Sequence, residues 1–303
     1  MKTLIYQYWT GSEPKESALI GSKAMKEYAD RIGADYYFSV NEPFFGGPKN
    51  WKYLSIKGLV NEEKQIPKVV LQKYNALRPI WDDNFLQYDK ILYVDLDIFP
   101  LKDCNQNIFE EEVKHFGICE ETHMPKLRKE GLSGVDYINT DNDLYVSNAV
   151  YLVHKKHLLT NKNNLPRIFN SGVVLITREG IYEARKKFTA IADHYMQFRK
   201  SDIVGFYLSD QNYYRTMIAV SGVDFKILDS KWNSQIHYVR TNENDLLSDS
   251  TLLYDGRKDD TALVHVQISG ADDWDEETHH EIVNLPYDKW QIDEKIDGLY
   301  IEE

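Results

Sequence analysis

Tyr88-Asp89-Lys90-Ile91-Leu92-Tyr93-Val94-Asp95-Leu96-Asp97-Ile98-Phe99 is the stretch that decides the fold class. The apolar run from Ile91 to Val94 predicts a buried strand that delivers two carboxylates at its C-terminal end. In open α/β sheets that edge is where ligands bind. Side chains alternate along an extended chain, so Asp95 and Asp97 would share one side, with Leu96 on the other. Two hard oxygen ligands can hold a divalent cation, and the cation can hold a diphosphate. The structural alternative is a pair of aspartates that merely cap a turn at the strand end. Asp82-Asp83, Asp259-Asp260 and Asp272-Asp273 are adjacent pairs whose side chains diverge, and Asp141-Asn142-Asp143 has no strand in front of it. These read as solvated loop carboxylates.

The pattern on either side is alternating strand and helix. Thr3 to Tyr8 predicts a first strand. Ser12 is a candidate N-cap, and Ile20, Ala24, Tyr28 and Ile32 repeat every four residues up to Gly33. Tyr36 to Val40 predicts a second strand. Asn41 to Gln65 lacks periodicity and reads as a loop, after which Val70, Tyr74, Leu77 and Trp81 mark a helix opened by Pro67. Further strands are expected at Phe116–Cys119, Ala149–Val153, Phe169–Ile176, Phe225–Leu228 and Ala262–Gln267. One long helix is expected from about Glu179 to Lys200, and a shorter one with Asp210 in its first turn.

Composition sets bounds on function. The chain has 303 residues, 42% of them hydrophobic, enough for one large α/β domain or two modest ones. With 36 Lys+Arg against 48 Asp+Glu the net charge is -12, which argues against a nucleic-acid partner. A nucleotide ligand stays open, because a bound cation neutralises its phosphates. Cys104 and Cys119 suggest reduced thiols rather than a disulfide framework. No run approaches the length of a membrane span, and a cytoplasmic location is the simplest expectation.

A second set of segments, taken in order, carries a resemblance. Lys73-Tyr74-Asn75-Ala76-Leu77-Arg78 precedes the Asp95-Leu96-Asp97 strand. Phe169-Asn170-Ser171-Gly172-Val173, Ser209-Asp210-Gln211, Lys231-Trp232-Asn233 and a His265…Gly270…Trp274 region follow it. In combination they resemble the GT-A-fold nucleotide-sugar glycosyltransferases of the glycogenin and lipopolysaccharide galactosyl- or glucosyltransferase type. The resemblance covers roughly residues 1–275. It departs from that pattern in a longer interval between Asp97 and Asn170, and in a wider separation of His265 from Gly270.

The resemblance implies an α/β GT-A fold: a Rossmann-like mixed sheet flanked by helices. It implies a single catalytic domain over 1–275 with an insertion within about 101–168, and an acidic C-terminal extension, 276–303, packed on it. It also implies a metal-dependent hexosyltransferase using a nucleotide sugar such as UDP-hexose and a glycan or other hydroxyl acceptor, with retention of configuration. Asp95, Asp97 and His265 would hold Mn²⁺ or Mg²⁺, although a core histidine is an equal reading of His265 taken alone. Tyr6, Tyr8, Trp9 and Thr10 would lie near the nucleobase, and Lys73 and Arg78 near the donor phosphates. Leu96 and Gly270 would border the donor, and Asn170 and Ser171 would contact its sugar. Asp210 and Gln211 would face the sugar opposite the diphosphate, with Asp210, Gln211 and Asn170 as catalytic candidates. The competing classes are a metal-dependent phosphotransferase or nucleotidylyltransferase, and a non-catalytic carbohydrate-binding protein of the same fold.

Overall fold

Phe169–Thr177, strand β6, is buried along its whole length and is the reversed strand of the main sheet. The computed structural model describes residues 1–10, 13–14, 16–42, 74–121, 140–161, 164, 166–199, 210–239, 252–255 and 259–269. Within these, β1 (Thr3–Trp9), β2 (Asp35–Val40), β3 (Lys90–Val94), β5 (Phe116–Glu120) and β7 (Phe225–Leu228) join β6. The six-stranded order is β2-β1-β3-β6-β5-β7, with β6 antiparallel to both of its neighbours and the other pairings parallel. This is the mixed α/β architecture that the sequence predicts. Reversal of β6 puts its first residues beside the C-terminal ends of β3 and β5, and that geometry creates the site.

Alternation along the strands divides the core between two faces. Ile91 and Tyr93 of β3 and Val174 and Ile176 of β6 pack with helices α4 (Arg178–Lys187) and α6 (Asp210–Ser221) through Ile181, Ala184, Tyr213, Tyr214 and Met217. Leu92, Val94, Val173 and Leu175 point the other way, toward Met25, Tyr28 and Ala29 of helix α1 (Glu16–Ile32). The buried face of α1 thus runs through Ala18, Met25, Tyr28 and Ala29, and Ile20 and Ala24 sit half-buried at its edge. Gly33, at φ +72°, ends α1, and the Ala34 N–H returns to the Ala29 carbonyl.

Several expectations are corrected. The Tyr88–Phe99 strand is not continuous: β3 stops at Val94, residues 95–97 turn, and Ile98–Pro100 forms β4 in a second sheet. The Asp95 carbonyl accepts from the Ile98 N–H (3.3 Å), and Asp97's carbonyl accepts from the Val266 N–H (2.9 Å). Leaving the first ladder thereby gains a place in another, of order β4-β10-β8-β9, with β8 at Ser234–Val239, β9 at Leu252–Asp255 and β10 at Leu263–Ser269. The apolar pattern of the sequence does not mark β8 or β9.

The Ala149–Val153 segment is helical, within α3 (Thr140–His154), which also takes in Asp141-Asn142-Asp143. Val146, Ala149 and Val150 pack on Leu158 and Phe198 at helical spacing. The Glu179–Lys200 helix is two helices, α4 and α5 (Ile191–Arg199). Phe188 is extended (ψ 139°), and the Thr189 carbonyl turns away to accept from the Tyr213 hydroxyl at 2.7 Å. Before β3, Tyr74–Leu77 is a 3₁₀ turn and Arg78–Trp81 the short helix α2, with Pro79 at its start. Residues 43–73, and with them the loop reading and Lys73, lie outside the described residues, as do the candidate cap Ser12 and the segment 276–303.

Cys104 and Cys119 are buried, unbridged thiols. No helix among the described residues is long and apolar enough to cross a membrane.

Thr177 joins β6 to α4. Its Oγ1 accepts from the Gly180 N–H (2.9 Å) and donates to the Lys114 carbonyl (2.6 Å). Thr177→Ala removes both contacts and is expected to lower the unfolding free energy by about 1–2 kcal/mol, read from urea titration.

Candidate functional site

At the C-terminal edge of β3, the Asp95 N–H continues the β6 ladder by donating to the Gly172 carbonyl at 2.8 Å. Its own carbonyl accepts from Gln7 Nε2 (3.0 Å), and Gln7 Oε1 in turn accepts from the Tyr36 hydroxyl (2.8 Å). The Asp95 side chain receives the Tyr93 hydroxyl. Asp97, two residues on, reaches His265 of β10, with Oδ2 to Nε2 at 3.2 Å. One ligand atom from each of Asp95, Asp97 and His265 lies within 4.8 Å of the others, a spacing that a single divalent cation can bridge. A turn and a second sheet bring these residues together; simple alternation along one strand does not.

Glycines make the convergence possible from both sides. A Cβ on Gly172 would stand 2.8 Å from Asn170 Oδ1 and 3.1 Å from Asp95 Oδ2. A Cβ on Gly21 of α1 would overlap the Leu96 carbonyl oxygen. The 95–97 turn is therefore clamped between a strand and a helix, each lacking a side chain where it touches.

Electrostatics favour a cation here. Burial pushes the Asp95 carboxyl up, and the negative charges of Asp97 and Asp210 push it further. Burial alone would lower the His265 imidazole, but Asp97, as charge and hydrogen-bond partner, and then Asp95 outweigh it and hold His265 above its ordinary value. Tyr8 and Tyr93 are raised by burial and by the charges of Asp210 and Asp95. Asp210, in the first turn of α6, thus belongs to the same acidic cluster as the turn. Two carboxylates and an imidazole at a partly buried edge, with the Asp210 charge nearby, suit a hard to borderline dication.

The remaining candidates fall into place as follows. Asn170 and Ser171 are buried at the start of β6. Gln211 is half-buried beside Asp210. Tyr8, Trp9 and Thr10 are half-buried at the end of β1, and Tyr8 stacks on Tyr93 at 5.9 Å. Tyr6 is a core residue, packed edge-on against Phe85. Arg78 is buried, with its guanidinium held by Ser39 (3.1 Å), Glu42 (2.7 Å) and Asp82 (2.9 Å). Gly270, like Lys73, is outside the described residues. Sequence reasoning assigned no role to Gln7, Tyr93 or Glu121, and took Asn233 only as part of the Lys231-Trp232-Asn233 segment of the resemblance. Asn233 follows the 3₁₀ turn Ser230–Trp232, and its Oδ1 lies 3.0 Å from His265 Nδ1. An amide oxygen can only accept, so the histidine is the donor.

No family model matches this chain, and no curated protein sequence does. Solved structures do match in shape. A glycosyltransferase involved in glycosylation of the major capsid of PBCV-1 aligns over 93% of this chain and 98% of its own, with 10% identity and a TM-score of 0.46. Mouse xyloside xylosyltransferase 1 aligns over 78% and 87%, at 14% identity and TM-score 0.38. A Drosophila β1,4-galactosyltransferase 7 mutant, in complex with manganese, UDP-Gal and xylobiose, aligns over 67% and 63%, at 13% identity and TM-score 0.29. Likeness at this level carries no argument about chemistry, which has to come from the residues of this chain.

The site ties folding to pH. Asp95 and His265 both hold protons more tightly in the folded state, so the metal-free protein should lose stability as pH rises from about 4 through their raised values. Buried His194, lowered to about 3, works oppositely and weakens the fold as pH falls below about 6.5. Comparing melts with and without Mn²⁺ cancels the His194 contribution. Cation binding requires deprotonated ligands, so the Mn²⁺-induced rise in Tm should be small at about pH 5 and several degrees at about pH 8. An equal rise at both values would contradict a site made from Asp95 and His265.

Proposed function

We propose that this chain is a metal-dependent glycosyltransferase that moves a hexose from a nucleotide sugar, UDP-hexose in the first instance, to a hydroxyl acceptor such as a glycan. The observation that carries the reading is the convergence of Asp95, Asp97 and His265 at the C-terminal edge of a mixed α/β sheet, with Asp210 in the same acidic cluster. Asp95, Asp97 and His265 would hold Mn²⁺ or Mg²⁺. The cation would supply Lewis-acid stabilisation of charge on the departing nucleoside diphosphate.

The other residues divide the work by position. Tyr8, Trp9 and Thr10 end β1 and would border the nucleobase. Asn170 and Ser171, at the start of β6, would contact the hydroxyls of the transferred sugar. Asp210 and Gln211 would face the sugar from the first turn of α6, where a carboxylate stabilises positive charge at the anomeric carbon. The pull of burial and neighbouring acids keeps Tyr8 and Tyr93 neutral phenols, able to donate rather than repel an anionic donor. Retention of configuration and the domain boundaries at 275 and 276 belong to the same proposal.

Incubation with a panel of nucleotide sugars and Mn²⁺, scored as nucleoside diphosphate release, tests it. Release that EDTA abolishes supports the reading. Inorganic phosphate release from simple esters would replace it with a metal-dependent phosphatase. Sugar binding indifferent to EDTA, without turnover, would replace it with a binding protein.

A further inference from the structure

Four side chains behind the cation site form a hydrogen-bonded chain whose direction is fixed at its Glu121 and Gly172 end. The Gly172 backbone N–H, which can only donate, points at Asn170 Oδ1 at 2.8 Å. That contact places the Asn170 amide nitrogen on the opposite side, where Nδ2 donates to Glu121 Oε1 at 2.6 Å. Glu121 is 3% exposed and lies just past β5, and a carboxylate there accepts without ambiguity. Asn170 Oδ1 also accepts from Asn233 Nδ2 at 2.8 Å. With its nitrogen so committed, Asn233 can present only Oδ1 to His265 Nδ1, and does so at 3.0 Å. The Nδ1 must therefore carry a hydrogen, and Nε2, whose partner is Asp97 Oδ2 at 3.2 Å, gives up its own proton when a cation takes that place.

We propose that Asn233 is the positioning residue of the cation site: it holds His265 in the Nδ1–H tautomer, aims the Nε2 lone pair at the cation, and ties that tautomer to Asn170. Glu121 and the Gly172 amide set the polarity of the chain from its far end. An amide flip at any point would put two donors or two acceptors face to face in a buried place, so the chain permits one arrangement. Because Asn170 is the residue placed to meet the donor sugar, the order of the cation site and that of the sugar site are coupled through Asn233. Metal-binding histidines whose second nitrogen loses its partner bind the metal roughly ten- to a hundredfold more weakly.

This inference rests on the reading of Asp95, Asp97 and His265 as a cation site, and the test separates the two. Mn²⁺ affinity is measured by paramagnetic resonance of the free ion, and the His265 Nδ1–H by its ¹⁵N-coupled proton resonance and that proton's exchange with solvent in the metal-free protein. Wild type should show a slowly exchanging Nδ1–H. Asn233→Ala should lose that protection and bind Mn²⁺ about tenfold to a hundredfold more weakly, with its thermal transition still cooperative. Asn233→Asp keeps the acceptor for His265 but faces Asn170 Oδ1 with a second acceptor. It should hold Mn²⁺ within about threefold of wild type while raising the donor KM.

If His265→Ala abolishes Mn²⁺ binding but Asn233→Ala leaves both affinity and Nδ1–H exchange unchanged, the positioning role is overturned and the cation site stands. If wild type binds no Mn²⁺, the proposed function falls, and this inference with it.

Discussion

Asp97→Asn is expected to lower Mn²⁺-dependent nucleoside diphosphate release by about a thousandfold, while leaving the metal-free protein as stable as wild type or more so above the raised His265 value, where the ring is neutral and no ion pair with Asp97 is lost. The substitution keeps size and shape, and the Asp97 backbone carbonyl still accepts from Val266. It removes one anionic ligand and the charge that sits 3.2 Å from His265 Nε2. It also removes a negative charge that raises Asp95, so the folded state loses like-charge repulsion. At that pH activity and stability should move in opposite directions, whereas below it the lost His265 contact offsets the gain. Asp210→Asn serves as the control. It should relieve Asp95 in the same way and reduce turnover, yet keep Mn²⁺ affinity, because Asp210 is outside the three-ligand group. Full release by Asp97→Asn, or release unaffected by EDTA, would sink the cation reading.

The legible part of this fold was its apolar periodicity. Phe169 and Val173–Ile176 of β6 and the buried Ile91–Val94 run announce themselves in any sequence reading. The strand expected at Ala149-Val150-Tyr151-Leu152-Val153 fails where that signal is ambiguous, because the run is continuously apolar and its valines favour an extended chain. In the structure Tyr151 and Leu152 are 42% and 60% exposed, whereas Val146, Ala149 and Val150 are buried, which is helical spacing with an apolar solvent face. The second sheet was harder to see. Its β4 is three residues long and β9 four, and each is defined by its partner rather than by its own pattern.

The site was legible where residues cluster in sequence and opaque where they meet only in space. Asp95 and Asp97 declare themselves as a pair, and Asn170, Asp210 and His265 by their order. Glu121 is one of many acids, and nothing local marks it as the buried end of a polar chain. Tyr93 reads as an ordinary strand residue until its hydroxyl is seen on Asp95. Gly21 is the extreme case, since a glycine in an amphipathic helix reads as a mild defect.

Gly21→Ala converts that defect into a test of the whole arrangement. In an isolated helix the change would help by roughly 1 kcal/mol. Here the new Cβ would overlap the Leu96 carbonyl oxygen, with Phe99 3.7 Å away, so α1 or the 95–97 turn must move. Leu96 is bracketed by residues with fixed duties: Asp95 is pinned to Gly172, and Asp97 to Val266 of β10. Neither ladder yields cheaply, and overpacking against backbone costs about 1–3 kcal/mol or more. The net expectation is a loss of about 2 kcal/mol in urea titration, opposite in sign to the helix propensity. Residue 21 touches no ligand, but displacement of Leu96 carries Asp95 and Asp97 with it, so Mn²⁺ affinity should fall by about tenfold or more, consistent with the effect of disturbed supporting contacts. A stabilised Gly21→Ala protein with unchanged Mn²⁺ affinity would mean that α1 does not hold the turn in place.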